Sequence, residues 1–105
     1  MILNEFKIGW QNKFEQRLNA LERLFPDITL QSVERYKGML RVKFTSLDND
    51  IQDVLDSVTY KIERESAQTC EGCGKQGRRT EEHLPEKMCL CWKCHALEIE
   101  QIQNS

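Results

Sequence analysis

Cysteine is missing everywhere outside the window Cys70–Cys94, which holds all five cysteines of the chain. A disulfide framework spread through the domain is therefore excluded up to Thr69. Long apolar runs are missing too: none approaches the ~20 residues needed to cross a bilayer. Met1–Glu5 shows no basic segment followed by an apolar one, so no signal peptide is expected, and the cytoplasm is the expected location. There structural disulfides are rare and clustered cysteines more often bind metal. Charge of either sign is nearly balanced, with 15 Lys/Arg against 17 Asp/Glu and a net charge of -2. That predicts no general attraction to nucleic acid or to an anionic membrane. The chain also shows no internal repeat, no low-complexity linker, no phosphate-cradling loop and no basic stripe.

What is present suits one small domain with an appendage. The chain has 105 residues, 39% of them hydrophobic. A chain this short buries a limited fraction of its surface, so an additional staple would help it.

Trp10, Phe14, Leu18, Leu21 and Phe25 recur at helical spacing and predict a helix over about Gly9–Phe25, stopped by Pro26. Lys13, Glu15, Arg17, Glu22 and Arg23 read as its solvated face. Asp27–Ser46 reads as a β-hairpin about a Lys37-Gly38 turn, since Gly tolerates positive φ. In that register Val33 faces Val42 and Glu34 faces Arg41. Leu40, Val42 and Phe44 then point to the core, and Arg41 and Lys43 point away. Leu30 fits poorly, which suggests a bulge or a longer turn. Asp48-Asn49-Asp50 caps a second helix running to about Ser66, with Ile51, Val54, Leu55, Val58 and Ile62 as its apolar stripe. The only candidate boundary lies near Gln68-Thr69, giving an α+β core over 1–68 and a metal module over 69–105.

Cys70-x-x-Cys73 and Cys91-x-x-Cys94 stand 17 residues apart, a strong zinc signature. Each Cys-x-x-Cys turn aims two sulfurs at one ion, and two turns complete a tetrahedron. Four thiolates leave no open coordination position, so the expected role is one structural zinc ion. Cys89-x-Cys91 would crowd the sulfurs, and Cys89 is therefore read as a non-ligand. His83 and His95 could each replace one sulfur. Residues from Ala96 onward read as a short helix. A knuckle, a short hairpin and a cysteine pair opening a helix form the layout of a treble clef. Neither pair lies in a βαβ context, so a thioredoxin-like redox role is not expected.

The stretch from Cys70 to Glu98 resembles the zinc frame of HNH endonucleases, with His83 in the place of the general base and His95 in that of the terminal His. The Asn-bearing segment of that family has no counterpart between His83 and Cys91. The frame is thus expected without its chemistry. A resemblance over most of the chain is to a group of small bacterial and phage proteins. It rests on Gly9-Trp10, on the hairpin Val33–Arg41, on Thr69-Cys70-Glu71-Gly72-Cys73-Gly74-Lys75-Gln76-Gly77, and on Leu90-Cys91-Trp92-Lys93-Cys94. The Lys and Phe usual in the group's hairpin are replaced here. The resemblance implies a fold and a zinc site, and its phage association implies an accessory or counter-defence role.

These readings together predict helix, hairpin, helix and a treble-clef-like zinc module. The expected function is non-enzymatic contact with a protein partner, as in an anti-CRISPR-like inhibitor of a bacterial defence complex, and a homodimer is compatible with it. Arg41, Lys43, Arg78 and Arg79 are the candidate contact residues, because Arg is favoured at interface hot spots. The alternative is a nucleic-acid-binding zinc module using Lys75, Arg78 and Arg79 with Lys87 and Lys93. Those cations are diluted by Glu71, Glu81, Glu82 and Glu86, read as a solvated loop.

Overall fold

The computed structural model of the protein describes residues 2–80 and 87–103. Helix α1 spans Ile8–Leu24 and buries Trp10, Phe14, Leu18 and Leu21, as the helical spacing predicts. Phe25 closes it with its N–H on the Leu21 carbonyl, 2.9 Å away, and Pro26 cannot continue the helix. The solvated face carries one exception. Glu15 is buried, and its carboxylate accepts the backbone N–H groups of Ile2 (2.5 Å) and Leu3 (3.0 Å). A single charged side chain thus straps the N-terminal turn onto the helix, with Leu3 fully buried in the core.

Strands β1 (Thr29–Tyr36) and β2 (Met39–Thr45) form an antiparallel hairpin. Val33 pairs with Val42 and Glu34 with Arg41, the expected register. Lys37 (φ 51°) and Gly38 (φ 79°) both take positive φ. That is the type I′ geometry whose twist matches the flanking strands. The register slips between Leu30 and Ser32, a bulge that accounts for the poor fit of Leu30. Leu40, Val42 and Phe44 face inward, whereas Arg41 and Lys43 are exposed.

Helix α2 spans Asn49–Ser66. The Asp48 carboxylate accepts the N–H groups of Asp50 and Ile51 at 2.9 and 3.2 Å, satisfying donors that the first turn leaves orphaned. Leu55 and Ile62 are fully buried, and Ile51 and Val58 pack beside them. Val54 lies one position off that line and is 45% exposed, so the buried stripe is narrower than expected.

Helices α1 and α2 and the inner face of β2 share one core, to which Cys89 also belongs. Beyond α2, β3 (Arg78–Arg79) pairs antiparallel with β4 (Cys89–Leu90), and α3 spans Trp92–Gln103. Thr80 and Met88 extend this ladder through two hydrogen bonds, from Thr80 N–H to the Met88 carbonyl and from Met88 N–H to Thr80 Oγ1. Several links cross the boundary expected near Gln68-Thr69. Trp10 Nε1 donates to the Thr69 carbonyl at 2.9 Å, and Lys7 pairs with Glu98 at 2.7 Å. Among the described residues, no helix is long and apolar enough to cross a membrane.

Candidate metal centre

The first cysteine pair sits on a turn clamped at both ends. Gly74 N–H donates to the Cys70 carbonyl (2.9 Å), and Cys70 N–H donates to the Lys75 carbonyl (2.7 Å). Gly74 holds φ +81°, a conformation that costs glycine little. The second pair comes from a different backbone form. Cys91 precedes α3 and Cys94 lies in its first turn, where His95 N–H donates to the Cys91 carbonyl at 2.9 Å. A Cβ on Gly72 would stand 3.0 Å from Cys94 Sγ, so the absence of a side chain there makes space for the sulfur.

These two turns bring the Sγ atoms of Cys70, Cys73, Cys91 and Cys94 within 4.8 Å of one another. Cys73 Sγ and Cys91 Sγ are 3.7 Å apart. Sulfurs at ~2.3 Å from a tetrahedral zinc ion lie about 3.8 Å from each other, a separation that the Cys73–Cys91 pair matches. Four soft thiolates close together suit zinc among the common divalent metals. The four residues could therefore hold one metal ion, and they are compatible with zinc. Without metal, the N–H of Cys94 and then the neighbouring thiols draw the Cys91 thiol down to about 7. Cys70 is buried, Cys91 and Cys94 are half-buried, and Cys73 is exposed. The centre is thus anchored inside and open to the surface on one side.

Cys89 stands outside the group. It is fully buried, and its Sγ donates to the Ala67 carbonyl at 3.3 Å. Burial, followed by the charge of Glu71, pushes its thiol up to about 12. Among the described residues His95 does not join the sulfurs either; it lines a hollow with Arg78, Arg79 and Thr80. His83 lies outside the described residues.

Glu71 departs most from expectation. Read as part of a solvated loop, it is instead 0% exposed. Its Oε1 accepts from Arg35 Nε (2.9 Å) and Nη2 (2.7 Å), and its Oε2 accepts from Cys89 N–H (2.9 Å). Burial pushes its carboxyl above the usual carboxylate value, and Arg35 works against that rise. The Glu71 backbone is equally engaged: its carbonyl accepts Gly9 N–H, and its N–H donates to the Cys89 carbonyl, both at 2.8 Å. One residue between two sulfur-bearing positions therefore ties the metal turn to α1, to the hairpin and to β4. A buried carboxylate needs such pairing, since an unpaired one would be strongly destabilising.

The candidate contact residues fall in two hollows. Arg41 and Lys43 line one of about 330 Å³ that Glu34, Asp56 and Glu63 share. Arg41 stacks on the Tyr36 ring at 4.8 Å and lies 4.0 Å from Glu63. Carboxylates thus offset the charge of that face. Arg78 and Arg79 line the other hollow, with His95. Trp92, adjacent to Cys91, is 81% exposed and was not among the candidates. Its place in the sequence does not by itself mark it as exposed, since Glu71, inside the other ligand pair, is buried.

Comparison of the chain with protein-family models, curated proteins and solved structures finds no match.

Proposed function

We propose that the chain is a small non-enzymatic zinc-binding protein that works by contact with another protein. Cys70, Cys73, Cys91 and Cys94 hold one structural zinc ion in a treble-clef-like module, and the ion makes that module rigid. The observation that carries the reading is the exposure of Trp92, 81% of its surface, on the residue beside Cys91. An indole held this far into water gains by burial against a partner, and Trp is a leading hot-spot residue. Four thiolates on one ion also leave no position for a substrate or an activated water, which supports a role without catalysis.

The resemblance to phage proteins gives the contact a direction: inhibition of a bacterial defence complex in the cytoplasm of the host. The test is reconstitution. The tagged full chain is purified from its native cell, nuclease is added, and any protein that remains is produced separately and mixed with the zinc-loaded chain. A stoichiometric complex of the two purified proteins is expected. A complex that nuclease dissolves, or one that cannot be rebuilt from purified proteins, contradicts the proposal.

A further inference from the structure

The four clustered sulfurs differ in their access to solvent. Cys73 is exposed, Cys91 and Cys94 are half-buried, and Cys70 is buried. Local sequence and packing account for that order. Cys73 stands between Gly72 and Gly74, so neither neighbour carries a side chain to cover it. Cys70 is enclosed instead. A Cβ on Gly77 would stand 3.0 Å from Cys70 Cα, and Met88 and Leu90 share its apolar cluster. A hollow of about 470 Å³ opens beside the sulfurs, and its lining includes Cys73, Cys91 and Cys94 but not Cys70. A small oxidant therefore has a route to one side of the centre, while the sulfur on the other side stays covered. Cys73 Sγ also lies 3.7 Å from Cys91 Sγ, on the other Cys-x-x-Cys turn. A disulfide needs two such atoms to close to ~2.05 Å.

We propose that Cys73 is a peroxide-reactive site, and that its oxidation to a Cys73–Cys91 disulfide ejects the zinc ion. The proposal rests on the reading of the four cysteines as a zinc site and adds a means of regulating it. The Cys73 thiolate attacks one oxygen of hydrogen peroxide. The S–O bond forms, the O–O bond breaks and hydroxide leaves, so sulfur gives up two electrons and peroxide takes them. The Cys91 thiolate then attacks the Cys73 sulfenic sulfur. The S–S bond forms, the S–O bond breaks and a second hydroxide leaves; two protons from solvent turn both hydroxides into water. Only Cys70 and Cys94 then remain of a set that structural zinc needs in full. The ion passes to solvent and those two thiolates take up protons. The disulfide joins the same two turns that the ion joined, so reduction by a small thiol restores the site. Cytosolic disulfides are characteristically transient and redox-sensing, which suits such a cycle.

The test treats the zinc-loaded full chain with hydrogen peroxide in the presence of a chromophoric zinc chelator, then maps the linkage by mass spectrometry. About one zinc ion should be released for each peroxide consumed. Cleavage after Glu71, Lys75, Lys87 and Lys93 puts Cys70, Cys73 and Cys94 in separate peptides and Cys89 with Cys91 in a fourth, where fragmentation tells the two apart. The expected product links Cys73 to Cys91. Dimedone added during oxidation should label Cys73, dithiothreitol should restore zinc binding, and Cys89→Ser should respond as the wild type does. Zinc retained under an exposure that fully oxidises the zinc-free chain overturns the proposal. So does release with Cys91–Cys94 or any other pair as the main linkage, or a response that Cys89→Ser abolishes. In each of these cases the zinc reading stands. A chain that holds no zinc before peroxide is added overturns both. The zinc and linkage measurements use the wild-type chain, so they decide the matter without any variant having to fold.

Discussion

Gly9 and Glu71 meet backbone to backbone: the Gly9 amide donates to the Glu71 carbonyl at 2.8 Å, and no side chain fits between them. A Cβ on Gly9 would stand 2.4 Å from the Cys70 carbonyl oxygen and 2.5 Å from that of Glu71. Next in the chain, Trp10 fills the core and donates its indole N–H to Thr69. The Gly-Trp pair is therefore the seat on which the first cysteine turn rests.

Gly9→Ala should push that turn off α1. The expected cost is about 2 kcal/mol or more, because the clashing atoms are backbone and cannot swing aside. Denaturant unfolding of the zinc-loaded variant measures the cost, and zinc competition against a chromophoric chelator should show weaker binding. Unchanged stability and affinity would mean that the turn does not rest on Gly9.

Arg35→Met should be more severe, at about 3 kcal/mol or more, since it leaves the Glu71 carboxylate buried without its cation. Glu71→Met added to it should recover much of the loss, because two apolar side chains replace the pair without a stranded charge. Thermal unfolding of both single variants and the double variant checks this. Independent, additive effects would count against the coupling.

How much of this was legible beforehand differs from residue to residue. The hairpin register followed from Lys37-Gly38 and the alternation of Leu40, Val42 and Phe44, because a two-residue turn and a period of two leave little choice. The four sulfurs followed from spacing alone. Glu15 and Glu71 did not, because a carboxylate in a helix or loop is ordinarily solvated, and only the fold supplies the backbone N–H groups and the guanidinium that bury them. Gly9 was visible as part of a pattern, but its cause, the approach of a turn some sixty residues away in sequence, was not. The exposure of Trp92 is not legible either, because the inner residues of the two ligand pairs differ in burial, Glu71 at 0% and Trp92 at 81%, and only the fold sets which one faces water.

Cys89→Ser should leave metal content unchanged, because Cys89 lies outside the sulfur group and bonds Ala67 instead. Its thiol is buried and held at about 12, so in the native protein it should resist iodoacetamide at mildly alkaline pH. After chelation Cys91, at about 7, should react far faster. Mass-spectrometric mapping of the alkylated residues reads both. Rapid labelling of Cys89 in the zinc-loaded protein would contradict its placement in the core.

Gly38→Ala should destabilise the hairpin by about 1 kcal/mol or more, since Gly38 holds φ +79° and a Cβ there would stand 2.9 Å from Arg79 Cγ. Lys37→Asn should have the opposite sign, as Asn accepts positive φ more readily than Lys. Denaturation midpoints of the two variants should therefore fall on opposite sides of wild type, and a shared direction would count against the type I′ turn.

The central claim is that these four cysteines close around one zinc ion, and native mass spectrometry of the freshly purified, unchelated chain tests it most directly. The account predicts a mass of one chain plus one zinc, with the protons of the coordinating thiols displaced. It also predicts that Cys70→Ser, Cys73→Ser, Cys91→Ser and Cys94→Ser each weaken or abolish zinc retention, whereas Cys89→Ser does not. A metal-free chain that has instead lost the hydrogens of a disulfide, or a zinc-bound chain that Cys89→Ser strips while Cys91→Ser does not, would contradict it.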